Sequence, residues 1–156
     1  MNVGIVVYSW SGNTLSVAEK LKARLAEAGH TADVVQVQVV GERKQGAREF
    51  ELDALPDLAS YDGLVFGAAV EAFSLSPVLK AYLKKVDSLV GKKVACLVTQ
   101  QFPYPWMGGN RAIRQMRKLC KAKGGTVVDS AIVNWAKSRR EATTAAAVDR
   151  LSGPFQ

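Results

Sequence analysis

The stretch Val3-Gly4-Ile5-Val6-Val7-Tyr8-Ser9-Trp10-Ser11-Gly12-Asn13-Thr14 decides how the rest of the chain is read. Residues 3–8 form an apolar run of strand length. Residues 9–14 hold hydroxyls, an amide and a glycine. Directly after them Leu15, Ala18, Leu21, Leu25 and Ala28 recur at helical spacing, and Gly29 ends the pattern. Glu19, Lys20, Lys22, Arg24 and Glu27 fall on the other face, so this helix is expected to lie on a sheet with one side in water. The order is strand, turn, helix.

A phosphate at such a turn would meet backbone N–H groups that have no helical acceptor and carry partial positive charge. Gly12 lets the backbone approach closely, and the hydroxyls of Ser9, Ser11 and Thr14 with the Asn13 amide add donors without any cation. The plainer use of the same residues is a polar turn that caps a helix.

Outward from this unit, residues 32–39 read as a second strand. The polar stretch 41–46 interrupts, and a short helix is expected around 55–59. Residues 64–68 give a third strand, after which Ser76-Pro77 supplies an N-cap and a first-turn proline for a helix with Leu79, Tyr82, Leu83 and Val86 inward. Residues 93–99 read as a fourth strand, 110–123 as a helix ended by Gly124-Gly125, and 126–133 as a fifth strand. Ser138 with Glu141 forms a capping-box pattern for a last helix that stops before Gly153-Pro154. Strands apolar on both faces and alternating with helices call for a parallel sheet covered on each side.

At 156 residues, with 48% hydrophobic and 22% charged residues, one domain spanning 1–156 is expected, large enough to bury a core without disulfides or a metal. No apolar run approaches the ~20 residues that cross a bilayer, and no basic-then-apolar leader opens the chain, so no membrane and a cytoplasmic location are expected. Cys96 and Cys120 fall in apolar strand and helix patterns and read as core thiols, with no metal site. The net charge of +7 would attract nucleic acid, an acidic protein or a phosphorylated ligand, and does not choose among them.

The motif Ser9-Trp10-Ser11-Gly12-Asn13-Thr14 resembles the fingerprint of the flavodoxin family: hydroxyl residue, any residue, hydroxyl residue, glycine, any residue, threonine. The resemblance continues through Tyr61-Asp62-Gly63-Leu64-Val65-Phe66-Gly67, Ser76-Pro77 and Gly108-Gly109, and so spans nearly the whole chain. It implies an α/β flavodoxin-like three-layer sandwich whose five-stranded parallel sheet has the order 2-1-3-4-5. It also implies flavin mononucleotide (FMN) as cofactor, with its phosphate on Ser9, Trp10, Ser11, Gly12, Asn13 and Thr14. Flavodoxins bind ligand where the strand order reverses.

By the same resemblance the flavin ring lies between two further loops. One runs through Ala68, Ala69, Val70, Glu71, Ala72 and Phe73. The other runs through Thr99, Gln100, Gln101, Phe102, Tyr104 and Trp106 to Gly108. Planar side chains in the second loop suit a flat ring, and equally suit packing within the domain or a dimer interface. Trp10 borders the ring or shields the phosphate loop. Glu71 reads as an exposed loop acid, or as one near enough to the ring to affect its protonation.

Two features depart from the family. The 68–75 loop has no glycine, whereas electron-carrying flavodoxins commonly flip a glycine peptide there to stabilise the one-electron-reduced flavin. Those carriers are also generally acidic, while this chain places Arg111, Arg114, Arg117, Lys118, Lys121 and Lys123 on one helix with no acid. That run is a solvated face, or it meets an acidic redox partner or a nicotinamide dinucleotide phosphate.

The leading expectation is an FMN-binding redox protein that passes electrons between a reductase and an acceptor, as a monomer or homodimer. The alternative is an enzyme, an NAD(P)H-dependent FMN or quinone reductase. A nucleic-acid-binding domain is a remote third, because the basic residues are scattered and carry no binding motif. The single histidine, His30, lies past a helix end and suggests no catalytic triad.

Overall fold

A computed structural model describes residues 1–155. The apolar run after Met1 becomes β1 (Asn2–Val7), followed by α1 (Asn13–Glu27), β2 (Thr31–Gln36) and a long connection to β3 (Gly63–Glu71). A two-residue strand β4 (Ser74–Leu75) leads into α2 (Pro77–Lys85). Then come β5 (Lys93–Gln100), α3 (Gly109–Ala122), β6 (Thr126–Asn134) and α4 (Arg140–Ser152), which ends in a 3₁₀ turn at Gly153–Phe155.

The strands lie in the order β2-β1-β3-β5-β6, all parallel, with β4 antiparallel to the end of β3. Apart from that added strand, this is the expected 2-1-3-4-5 sheet. The two faces carry separate apolar clusters. α2 and α3 cover one with Leu79, Tyr82, Leu83, Ile113 and Met116, and α1 and α4 cover the other with Val17, Leu21, Leu25, Val148 and Leu151. Because β1, β3 and β5 are buried on both faces, the chain can carry polar, ligand-facing groups only at strand ends. Cys96 and Cys120 both lie buried in the first cluster, where the neighbouring Cys96 thiol and burial push the Cys120 thiol pKa up. Among the described residues no helix is long and apolar enough to cross a membrane.

Three local expectations fail. No helix forms at 55–59: Asp57 Oδ1 accepts from the Ala59 N–H in a side-chain turn that competes with one. The Pro56 carbonyl accepts from the Tyr82 hydroxyl, which ties this loop to α2. Ser76 does precede α2, but its buried hydroxyl caps nothing. The Ser138–Glu141 capping box is also absent. α4 starts at Arg140, where the Ala136 carbonyl accepts from the N–H groups of both Arg139 and Arg140.

The connection before β3 packs directly on β1. A Cβ at Gly4 would stand 2.8 Å from the Tyr61 ring, which is itself held by its hydroxyl donating to Asp33. Gly4→Ala should therefore lower unfolding free energy by about 1–3 kcal/mol in urea titration, the usual cost of overpacking a rigid site. A loss below about 0.5 kcal/mol would mean that Tyr61 moves aside freely.

Candidate functional site

The end of β1 leads into the loop 8–12 and the start of α1. Gly12 takes φ +91° there, a left-handed conformation in which a side chain is strained. The Leu15 N–H donates to Ser9 Oγ at 3.1 Å, so Ser9 caps the helix from outside its first turn. Thr14 Oγ1 lies 2.8 Å from Thr99 Oγ1 in a buried hydroxyl pair that joins the start of α1 to the end of β5. Among the described residues, the N–H groups of Asn13 and Thr14 take no acceptor. With the Ser11 hydroxyl and the Asn13 amide beside them, the loop offers donors and no carboxylate.

The β5–α3 loop is fixed from within. Gln100 Nε2 donates to the carbonyls of Phe102 (2.6 Å) and Tyr104 (2.7 Å), and Asn134 Nδ2 donates to that of Pro103 (2.5 Å). At its far end Gly108 has φ +113° and packs so closely that a Cβ would stand 2.7 Å from Val70 and 3.0 Å from the Phe73 backbone. The loops 68–75 and 99–108 thus lie against each other.

β3 and β4 form a hairpin whose only central residues are Ala72 (φ +49°) and Phe73 (φ +59°). Positive φ at both centres is the demand of a type I′ turn, normally met by Asn-Gly or Asp-Gly. Alanine and phenylalanine adopt it at a cost of about 1–3 kcal/mol each. Surrounding contacts enforce it. The Leu75 N–H and the Ser74 hydroxyl both donate to Gln115 Oε1, and Lys80 Nζ donates to Ser74 Oγ.

Glu71, the residue before the turn, is not an exposed acid. Its side chain and that of Arg43 are each 2% exposed and form an ion pair at 2.8 Å. Arg43 also donates to the Ala47 carbonyl (2.6 Å) and the Tyr8 hydroxyl (3.3 Å), and lies 5.6 Å from the ring centres of Tyr8 and Phe50. Glu71 Oε1 accepts in addition from the Gly46 N–H (2.7 Å), and the Trp10 indole N–H donates to the Arg43 carbonyl (2.7 Å). Burial alone would lower the Arg43 pKa, but the hydrogen bonds to Glu71 and Tyr8 and the Glu71 charge outweigh it and hold the guanidinium above its ordinary value.

Ser11, Asn13, Ala69, Val70, Thr99, Gln100 and Gln101 converge on one narrow recess of about 20 Å³ at the carboxyl ends of the strands. Gln45 and Trp135, which sequence reading missed, complete it. Trp135 follows β6 at the same sheet edge, so the topology alone could have pointed to it. Gln45 and Arg43 lie in a stretch with no periodic signal. Of the remaining expected residues, Ala68 is core and Ala72 borders a different recess with Arg48 and Lys80. Phe73 and Phe102 stack on each other at 5.5 Å, as do Tyr104 and Trp106 at 5.9 Å. No third ring fits between Phe73 and Phe102 as they stand, since two ring contacts of about 3.5 Å each need about 7 Å.

A family model described as NADPH-dependent FMN reductase matches residues 1–139. No curated protein sequence matches the chain. Solved structures share its fold. Oxidised flavodoxin 2 from Bacillus cereus is 20% identical with a TM-score of 0.69, covering 97% of each chain. A flavoprotein in complex with FMN from Lactobacillus acidophilus NCFM is 19% identical with a TM-score of 0.63, covering 84% of this chain and 92% of its own. The flavodoxin of Streptococcus pneumonia TIGR4 is 14% identical with a TM-score of 0.66, covering 97% of this chain and 98% of its own.

Arg43→Ala would leave the Glu71 carboxylate buried and unpaired, so a loss of about 3–5 kcal/mol is expected in urea unfolding. The double change Arg43→Met/Glu71→Leu should cost less than that single change, because it removes both charges. Ala72→Gly should raise stability by about 1 kcal/mol by releasing the left-handed strain, less the backbone entropy of glycine. A destabilised Ala72→Gly protein would show that the turn is unstrained.

Proposed function

The chain belongs to the NADPH-dependent FMN reductase family, and on that premise we propose that it is an FMN-binding redox protein, one domain working in the cytoplasm. The observation that carries the cofactor assignment is the donor-only loop at the start of α1. The free N–H groups of Asn13 and Thr14, the left-handed Gly12 and the adjacent hydroxyls suit a phosphate monoester dianion, and no carboxylate opposes it. The redox chemistry is that of the cofactor's ring, reversible transfer of up to two electrons.

The chain's own residues do the rest. Ser9 holds the loop on the helix, and the Thr14–Thr99 pair fixes its distance from the β5 end. Ala69, Val70, Thr99, Gln100, Gln101 and Trp135, lining the recess beside the phosphate loop, are the side chains assigned to the ring. Phe73 and Phe102 are assigned to its outer border, since their mutual stacking leaves no slot between them. Trp10, held on the Arg43 carbonyl, shields the loop from the 41–50 side. The Arg43 pair neutralises Glu71, the one acid of the ring-side loops, so no free negative charge faces a reduced ring.

A second reading is favoured by the family itself: direct use of NADPH as hydride donor, which makes the protein a reductase and not only a carrier. Loss of the yellow flavin absorbance on anaerobic mixing with NADPH alone separates that reading from the carrier.

In fluorescence-quenching titration FMN should bind at least about 100-fold more tightly than riboflavin, as expected when two or more charge-assisted hydrogen bonds of about 1.5 kcal/mol or more recognise the phosphate. Gly12→Val should remove most of that preference, because valine strongly disfavours φ near +91°. Equal affinities for the two flavins would defeat the assignment.

A further inference from the structure

The charge of this chain is segregated. α2 carries three lysines and α3 five lysine or arginine residues, with no acid in either, giving +8 against +7 for the whole chain. α1 and α4, on the opposite face, mix five cations with four acids and come to +1. Arg24 and Arg150 on that face are paired with Asp149 and Asp129. No α2 or α3 cation takes part in an ion pair among the described residues. Asp57 and Asp87 share a recess with Lys85 at the far end of α2, and Glu71, already paired with Arg43, lines one with Lys80, so the strip without acids runs along α3.

This strip reaches the edge where the candidate site lies. Lys80 and Gln115 meet on Ser74, Arg111 is one helical turn before Gln115, and Arg48 and Lys80 line the recess beside Ala72. Partial burial, and then the charges of Arg111, Lys84 and Arg48, hold the Lys80 ammonium below its ordinary pKa. Unpaired cations crowded in this way repel one another and are relieved by an external anion. Next to them stand apolar rings: Phe73 is 54%, Phe102 46% and Trp106 73% exposed. Exposed aromatics bordered by charge of one sign are the composition of a protein-docking surface.

We propose that the α3 strip and the Phe73–Phe102 pair form the docking surface for an acidic redox protein that exchanges electrons with the FMN of this chain, a proposal that rests on the cofactor reading above. The dimensions favour a protein over a dinucleotide. α3 is about 20 Å long, and Arg114, Lys118 and Lys121 stand on an exposed convex face, whereas small ligands bury themselves in clefts. A partner seated there closes over the recess edge at Val70 and Gln101. Two one-electron donations from the reduced partner, with protons from water, reduce one FMN and oxidise two partner centres.

The test mixes the FMN-loaded protein in stopped flow with a chemically reduced, acidic plant-type [2Fe–2S] ferredoxin as probe. The rate of flavin reduction should fall at least about tenfold between about 20 and 300 mM salt. R111E/R114E/K118E should lower the low-salt rate at least about tenfold. K20E/K22E/K137E, which removes the same six charges from elsewhere, should change it less than about threefold. Dithionite reduction, FMN affinity and thermal midpoint should be alike in all three proteins. Equal losses in the two variants, or none, overturn the docking surface. So does labelled duplex DNA binding near physiological salt in a way that only the strip variant abolishes, which would assign the strip to nucleic acid. If the protein takes up no FMN, the cofactor reading fails by itself. Fluorescence anisotropy of labelled oxidised ferredoxin with the flavin-free protein then decides the docking surface by the same variants, and failure to bind, or indifference to the strip variant, overturns it.

Discussion

The guanidinium of Arg43 and the carboxylate of Glu71 sit in the interior of the sheet's carboxyl edge, each almost fully removed from water, and neither could stay there alone. Their pairing joins parts of the chain that share no secondary structure. Glu71 ends β3, Arg43 lies in the connection after β2, Tyr8 directly follows β1, and Trp10 reaches the Arg43 carbonyl from the loop before α1. Desolvation makes such a pair a poor source of stability, since an apolar replacement of equal volume would serve as well. Its effect is geometric: the bidentate contact with Glu71, the faces of Tyr8 and Phe50 and the Ala47 carbonyl together tie the 41–50 loop to the ends of β1 and β3.

That placement bears on the strained turn beside it. Ala72 and Phe73 occupy left-handed backbone that neither prefers, and the hairpin persists because Glu71, Gln115 and Gly108 hold it from three sides. A glycine turn could exchange conformations at small cost. An Ala-Phe turn held in this way is fixed, and with it the Phe73–Phe102 stack that joins the loops 68–75 and 99–108. The opposite loop is fixed by Gln100 and Asn134, which donate into its carbonyls from the ends of β5 and β6. The recess between these loops is therefore bounded by segments that are each fixed by their own hydrogen bonds and close contacts.

Charge is organised on a larger scale than the site. The parallel sheet puts α1 and α4 on one face and α2 and α3 on the other, and the two faces differ in charge even though each helix buries an ordinary apolar stripe. Packing does not require this segregation, because the exposed face of a helix tolerates either sign. The paired α1/α4 face and the unpaired α2/α3 face therefore differ in what they present to the surroundings and not in how they hold the fold.

What the sequence determined by itself is what is local. The apolar run of residues 3–8, the glycine at residue 12 and the helical spacing from residue 15 place the first strand-turn-helix unit, and the alternation of strands and helices after it gives a parallel sheet covered on both faces, while the strand order followed only from the family resemblance. The turn at 9–14 was legible because its conformation rests on residues adjacent in the chain, Gly12 and the start of α1. Only the tertiary structure decided the fate of Glu71, since its partner is 28 residues away in a stretch without periodicity, and the pairing of Phe73 with Phe102 across two loops. It also decided the capping at Ser76 and Ser138, where sequence patterns promised side-chain bonds that the chain does not make. The physical reason is common to these cases. Backbone conformation follows from a few neighbouring residues, whereas the burial and pairing of a polar or aromatic side chain depend on which distant segments the fold brings within contact of it.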